Sequence, residues 1–207
     1  MHPEFEELPF SERPDLTPYL IHLTKNTESE DKYSAFDNLV SILKGGSIFG
    51  SDSKKGFIKG NNEAVCFMDV PFVSLKYILN KDNCDPHDPR YEPYGIVVHK
   101  NAAYNKKCRP VIYLSNDELR DLNIPEEELW RVVRLEKFKN GWVSWLHERE
   151  WRCKGDFLVP TSAIVLVKNT IDARKLQKII ANNPKDFKVK PRSILPLNVI
   201  CQGLNLL

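Results

Sequence analysis

The stretch Trp145-Leu146-His147-Glu148-Arg149-Glu150-Trp151-Arg152 restricts the fold more than any other part of the chain. Within a strand expected from Trp142 to Cys153, two-residue alternation sends Glu148, Glu150 and Arg152 to one face. His147, Arg149 and Trp151 then fall on the other. An ordinary amphipathic strand carries its charges on a single face, and this one has them on both. Two placements suit it. One is a strand beside a polar cleft, where a glutamate is held rigidly to meet a ligand hydroxyl. The other is an edge strand whose Glu148 and Glu150 pair with Arg152 in solvent, a pairing worth little.

At 207 residues the chain is long enough for one domain with a sizeable core, and its 42% hydrophobic and 28% charged content describes a soluble globular protein. No apolar run approaches membrane-spanning length. The N-terminus, with Glu4, Glu6 and Glu7, lacks the basic and apolar regions of a signal peptide, so a cytoplasmic location without membrane association is expected. The five cysteines, Cys66, Cys84, Cys108, Cys153 and Cys201, are scattered and odd in number, which argues for reduced, structural thiols. Cys84 and His87, with His99 and Cys108 further on, have irregular spacing for a zinc site, and no metal is expected. Net charge is only +2, yet unevenly spread. Acids crowd residues 1–15 (Glu4, Glu6, Glu7, Glu12, Asp15), and Arg174, Lys175, Lys178, Lys185, Lys188, Lys190 and Arg192 dominate residues 172–192. The basic stretch could meet nucleic-acid phosphates, or form a solvated helix face and loop.

Residues 1–17 read as a leader, 18–169 as the core and 170–207 as a C-terminal helix, basic loop and strand within one domain. Tyr19 to Thr24 is a short apolar strand entered from Pro18. Phe36, Leu39, Val40 and Leu43 recur at helical spacing, and Gly45-Gly46 ends that helix. Ala64 to Met68 is a second strand, residues 50–62 a loop, Phe72 to Leu79 a short helix and residues 80–93 a proline-rich loop. Gly95–Val98, Val111–Leu114 and Ala163–Val167 are further strands. Pro125 followed by Glu126, Glu127 and Glu128 marks a helix start, with Leu129, Val132 and Val133 as its core stripe. Residues 172–182 form a helix, and Asn198–Cys201 a last strand.

Strands and helices do not alternate as regular βαβ units, and there is no glycine-rich phosphate loop. A single α+β domain follows, with a mixed, largely antiparallel split sheet and flanking helices. The G-x-S-x-G, H-E-x-x-H and C-x-x-C patterns are absent, which removes the commonest hydrolase, metalloprotease and redox signatures.

Three pieces stand in a suggestive order: His22-Leu23-Thr24 followed by Leu39-Val40-Ser41-Ile42-Leu43-Lys44-Gly45; then Val65-Cys66-Phe67-Met68-Asp69-Val70-Pro71-Phe72; then Glu148-Arg149-Glu150-Trp151. Between Tyr19 and Val167 this order resembles the ADP-ribosyltransferase fold. It is similar in particular to DarT-type transferases that modify DNA and to AbiGi-like abortive-infection proteins. The resemblance implies NAD as co-substrate and a setting in toxin–antitoxin or phage defence. It assigns the charge-stabilising glutamate to Glu150, which is followed by the aromatic Trp151, and the acceptor-side glutamate to Glu148. It gives His22 the adenosine ribose, the Leu23 backbone the nicotinamide carboxamide, with Thr24 beside them, and Phe67 the face of the nicotinamide ring. The chemistry suits these types: a fixed carboxylate stabilises the positive charge that develops on the ribose as the glycosidic bond breaks. The acceptor implied is a nucleic acid or a protein, with a toxin or antitoxin as possible partner. DarT-type enzymes place a basic residue in the loop after the first helix. Here that loop has Lys54, Lys55 and Lys59 but no arginine, and the arginine-directed toxins' Ser-Thr-Ser pattern is missing from the second strand.

Two other readings fit the same residues. The fold could serve as a catalytically inactive binding module, an antitoxin or interaction protein. Alternatively, Glu148, Glu150 and Asp156 could hold Mg²⁺ in a nuclease, which would require the three carboxylates to converge.

Overall fold

The computed structural model describes residues 13–27, 33–53, 57–80, 82–85, 87 and 89–202. In chain order its elements begin with β1 (Tyr19–Leu23), α1 (Ala35–Gly45), β2 (Ser47–Ile48), β3 (Ala64–Phe67), α2 (Leu75–Ile78) and β4 (Gly95–His99). They continue with α3 (Lys100–Asn105), β5 (Arg109–Pro110), β6 (Ile112–Leu114), α4 (Asn116–Asp121), β7 (Val132–Arg134), β8 (Glu136–Phe138) and β9 (Gly141–Val143). The last are β10 (Trp151–Lys154), β11 (Phe157–Leu158), β12 (Ile164–Val167), α5 (Thr170–Asn182), β13 (Ser193–Pro196) and α6 (Leu197–Ile200). This is a mixed α+β arrangement in which most strand pairs are antiparallel. Among the described residues no helix is long and apolar enough to cross a membrane.

Two sheets position the site. One runs β1-β4-β12-β13, antiparallel except for the β12–β13 pair; the other is the antiparallel β3-β10-β5. They touch where β1 meets the end of β3. There Ile21 and Met68 exchange both backbone hydrogen bonds, at 2.9 and 2.7 Å. Continuing that register would pair Leu23 with Cys66. Instead the His22 ring enters the gap and its Nδ1 lies 2.9 Å from the Cys66 carbonyl oxygen. The imidazole takes the acceptor that the ladder would have used, and the sheets part at that point.

Helix α1 covers the split. Ser34 and Asp37 cap its start reciprocally, each side chain accepting from the other's backbone N–H, and Gly46 ends it at φ 76°. Ala35, Phe36, Leu39 and Leu43 are buried, and the last three pack with Val65, Phe67 and Phe157 on the inner face of the sheets. A second apolar cluster gathers Ile21, Met68, Leu75, Tyr91 and Leu197 on the other side of β1.

Several expected elements differ. The strand from Trp142 to Cys153 is broken: β9 stops at Val143, Leu146–Glu148 is a 3₁₀ turn, and β10 begins at Trp151. The break has a cause. Arg149 adopts φ 48°, ψ 50°, and its guanidinium is tied to the Asp15 carbonyl at 2.6 Å. Glu148, Glu150 and Arg152 therefore do not share one face. The Pro125 helix is a 3₁₀ turn, Glu126–Arg131, because β-branched Val132 and Val133 leave it to pair with β6; Trp130, not Leu129, is its buried residue. The run Val111–Leu114 is divided, since the Val111 N–H bonds to the Glu150 carbonyl while Ile112–Leu114 pairs with β7. Asn198–Cys201 lies largely in helix α6 rather than a strand, and the sheet strand there is Ser193–Pro196. A short apolar run does not distinguish the two by period. Helices α3 and α4 were not expected, although Ser115 and Glu118 form a capping box readable in the sequence. Glu4, Glu6, Glu7, Glu12, Lys54 and Lys55 lie outside the described residues.

Candidate active site

The parting of β1 from β3 opens a cleft of about 1080 Å³. Its floor is His22 and Leu23 of β1 with Cys66 and Phe67 of β3. One wall is α1, through Asn38 and Ser41, and the segment to Phe49; Arg90, Tyr91 and Glu148 close one end. Backbone direction in a ladder alternates, so Leu23 turns its N–H and C=O to the same side as Ile21. For Ile21 that side holds Met68. For Leu23 it is the open cleft, because His22 occupies the Cys66 carbonyl. The cleft floor thus presents an extended donor–acceptor pair. Burial keeps His22 below the ordinary histidine range, opposed by its hydrogen bond to the Cys66 carbonyl, so the ring is neutral at pH 7.

The two glutamates have different surroundings. Glu148 ends the 3₁₀ turn, pinned by the Asp69 N–H on its carbonyl (3.0 Å), and its side chain reaches the cleft. The Tyr91 hydroxyl donates to Oε1, and among the described residues Oε2 has no hydrogen bond. Burial, reinforced by the nearby Glu150, holds the Glu148 carboxyl above its usual range against the lowering influence of Tyr91, Arg90 and Arg152. Glu150 is 6% exposed and gives both oxygens to Arg152, at 2.8 Å to Nε and 3.2 Å to Nη2. Arg152 also donates to the Trp130 carbonyl at 2.8 Å. Burial works against the Arg152 charge, and Glu150 more than offsets it. Glu150 borders a separate recess of about 300 Å³ with Asp69, Tyr113 and Arg149. The Cys66 thiol feels both acids; burial and then Glu150 push it far up, so it is not a thiolate nucleophile.

The remaining expected residues divide. Thr24 lines the cleft, but its hydroxyl donates to the Ala35 carbonyl at 2.9 Å and fixes the start of α1. Phe67 is 1% exposed and packs its ring against Phe157 at 4.9 Å, with His22 at its edge. The aromatic surface open to the cleft belongs to Phe49, 78% exposed, and Tyr33. Trp151 donates from Nε1 to Asp69 at 3.2 Å, and Asp69 also holds the buried Lys100 ammonium at 2.8 Å. Arg90 stacks its guanidinium on Trp145, 3.9 Å from the ring centroid. Reasoning from sequence missed Tyr91, Arg90 and Phe49; no local pattern in the proline-rich loop marks the first two.

Among the described residues no group of three His, Cys, Asp or Glu side chains is placed to hold a metal ion. Asp156 does not join Glu148 and Glu150 but accepts the Gly50 N–H at 2.9 Å. Of the basic stretch, Lys188 rests against Gly46 at the end of α1 and Lys175 lies over the Phe36 ring at 4.3 Å, while Asp186 in the same stretch pairs with Lys44 of α1 at 3.6 Å.

No family model matches the chain, and no curated protein does. Among solved structures, DarT of Thermus sp. 2.9 in complex with NAD+ is similar over 86% of this chain and 95% of its own, at 13% identity and a TM-score of 0.46. The complex of DarT from Thermus sp. 2.9 with carba-NAD+ gives 15% identity, 87% and 96% coverage, and a TM-score of 0.48.

Proposed function

We propose that the chain is an NAD-dependent ADP-ribosyltransferase-like protein, with Glu148 as the carboxylate that faces the reacting ribose. The observation that carries this reading is the convergence in one cleft of the Leu23 strand edge, the neutral His22 ring and a carboxylate, the edge and one carboxylate oxygen being without a hydrogen bond among the described residues. The volume, about 1080 Å³, is slightly above the roughly 300–1,000 Å³ of small-molecule sites and has room for a dinucleotide.

The parts have complementary tasks. The Leu23 N–H and C=O meet a planar carboxamide with one bond each way. His22, through Nε2, reaches a ribose hydroxyl while its Nδ1 stays on Cys66. Phe49 and Tyr33 offer ring faces at the cleft. When the C1′–N bond breaks, its electron pair leaves with neutral nicotinamide and positive charge builds on the ribose. Glu148 stabilises that charge as it develops, and a preorganised group of this kind is worth on the order of 10²–10³ in rate. The acceptor atom then bonds to C1′ and gives its proton to the Glu148 carboxylate, which passes it to solvent. In this arrangement Glu150 supports the turn from within its ion pair, in place of the charge-stabilising role that the sequence resemblance gives it. The acceptor is a nucleic acid or a protein, and the lysines around α1 and α5 favour a polyanion. A toxin–antitoxin or abortive-infection setting is consistent with that chemistry.

The test is nicotinamide release from NAD by purified protein with pooled DNA, RNA and protein acceptors, wild type beside Glu148→Gln. Release lost in the variant supports the reading; NAD binding without release favours the inactive binding module. No binding overturns the NAD assignment.

A further inference from the structure

We propose that Tyr91 is a positioning residue for Glu148, orienting the carboxylate through Oε1 so that Oε2 is presented to the cleft; its consequence for turnover rests on the reading above. Three observations support the assignment. Tyr91 is buried in the cluster that holds Ile21 and Met68, the contact point of the two sheets. Its phenol is therefore referenced to the same junction that opens the cleft.

The backbone that carries it is anchored as well. The N–H groups of Arg90 and Tyr91 both donate to the Asn83 carbonyl, at 2.9 and 3.1 Å. Asn83 in turn donates from its side chain to the Ile78 carbonyl at 2.8 Å and from its backbone to the Asn80 side chain at 2.9 Å. Finally, Glu148 sits in a turn whose backbone is fixed at Asp69 and at left-handed Arg149, which leaves side-chain torsion as its main freedom. The Tyr91 bond removes that freedom. The same hydroxyl cannot act as a base, because burial and then the Glu148 carboxylate raise it above the ordinary tyrosine range, so it remains a donor.

Among the described residues, the charged and titratable groups around Glu148 are Tyr91 and Arg90 from the loop before β4, Cys66 from β3, Tyr113 from β6, and Glu150 and Arg152 from the root of β10. Of these only the Tyr91 hydroxyl donates a hydrogen bond to it. Donation favours the ionised carboxylate, so its removal lets burial push Glu148 further up.

The experiment is a carboxyl-carbon NMR titration of the full chain labelled at glutamate, with the Glu148 signal identified by its loss in Glu148→Gln. It compares wild type, Tyr91→Phe and Tyr91→Leu, the last two checked for folding by circular dichroism. The Glu148 midpoint is expected to rise by about one pH unit or more in both. Nicotinamide release by Tyr91→Phe is expected to fall about tenfold in kcat with KM within about twofold, and its acid limb to move to higher pH by the same interval. An unmoved midpoint in a folded variant overturns the role of Tyr91, whatever the reaction. An unmoved acid limb beside a shifted midpoint overturns the link to turnover. Absence of release from the wild type overturns the functional reading instead, and the titration still decides whether Tyr91 controls Glu148.

Discussion

Glu148 and Glu150 are two residues apart, and the backbone between them puts them in different physical regimes. Glu150 belongs to the root of β10, buried, with both oxygens on Arg152. Glu148 belongs to a 3₁₀ turn, faces the cleft and shares one oxygen with Tyr91. A carboxylate saturated by a buried guanidinium has no capacity for a ligand, and its removal strands a buried charge. A carboxylate with one unengaged oxygen and a raised proton affinity is available for chemistry and contributes little to folding. The left-handed residue Arg149 makes this difference, because it resets the alternation at Glu150.

The largest effect expected from breaking the comparison is on stability. Glu150→Gln leaves Arg152 buried without its counter-charge and should cost about 3 kcal/mol or more, whereas Glu148→Gln should stay within about 1 kcal/mol. Urea unfolding of the two variants measures both, and equal losses would erase the distinction. Replacing the pair together, as Glu150→Leu with Arg152→Met, should recover much of that loss, since apolar residues of similar volume carry no desolvation cost. A double-mutant cycle quantifies the coupling.

A smaller effect lies in pH dependence. The folded state holds the Glu148 proton more tightly than the unfolded chain does. This contribution is complete below the unfolded glutamate value near 4.3 and is lost as pH rises through the folded value. His22 has the opposite sign: its folded value is lowered, so acidification below the unfolded value near 6.5 destabilises the fold. Stability profiles across pH 4–8 should lose the first slope in Glu148→Gln and the second in His22→Gln. The smallest effect on folding is expected at Phe49, whose exposed ring should change stability by less than about 0.5 kcal/mol when replaced by serine. A rise in the KM for NAD with kcat little changed would mark it as a ligand contact.

Local patterns carried much of the fold. The β1 strand and α1 with its Gly-Gly stop were readable, as were β3, β4 and α5, because alternation, helical spacing and caps act within a few residues. The segment from Trp142 to Cys153 was not readable, because it is broken by a long-range tether from Arg149 to Asp15 and by the Asp69 N–H on Glu148. Asn198–Cys201 was misread because a four-residue run with three apolar members satisfies either period. Of the residues singled out in the sequence, His22, Leu23 and Glu148 line the cleft, while the different surroundings of Glu148 and Glu150 were not legible. Tyr91 was hidden for a related reason: a tyrosine in a proline-rich loop has no local mark of the cleft it reaches.

The most direct test is nicotinamide release by three folded proteins, wild type, Glu148→Gln and Glu150→Gln, assayed at a temperature where each remains native. Loss of about 10²-fold or more in Glu148→Gln, with Glu150→Gln retaining most of its activity per folded molecule, is the expected result. Full release by Glu148→Gln with loss confined to Glu150→Gln would contradict the assignment of the cleft carboxylate.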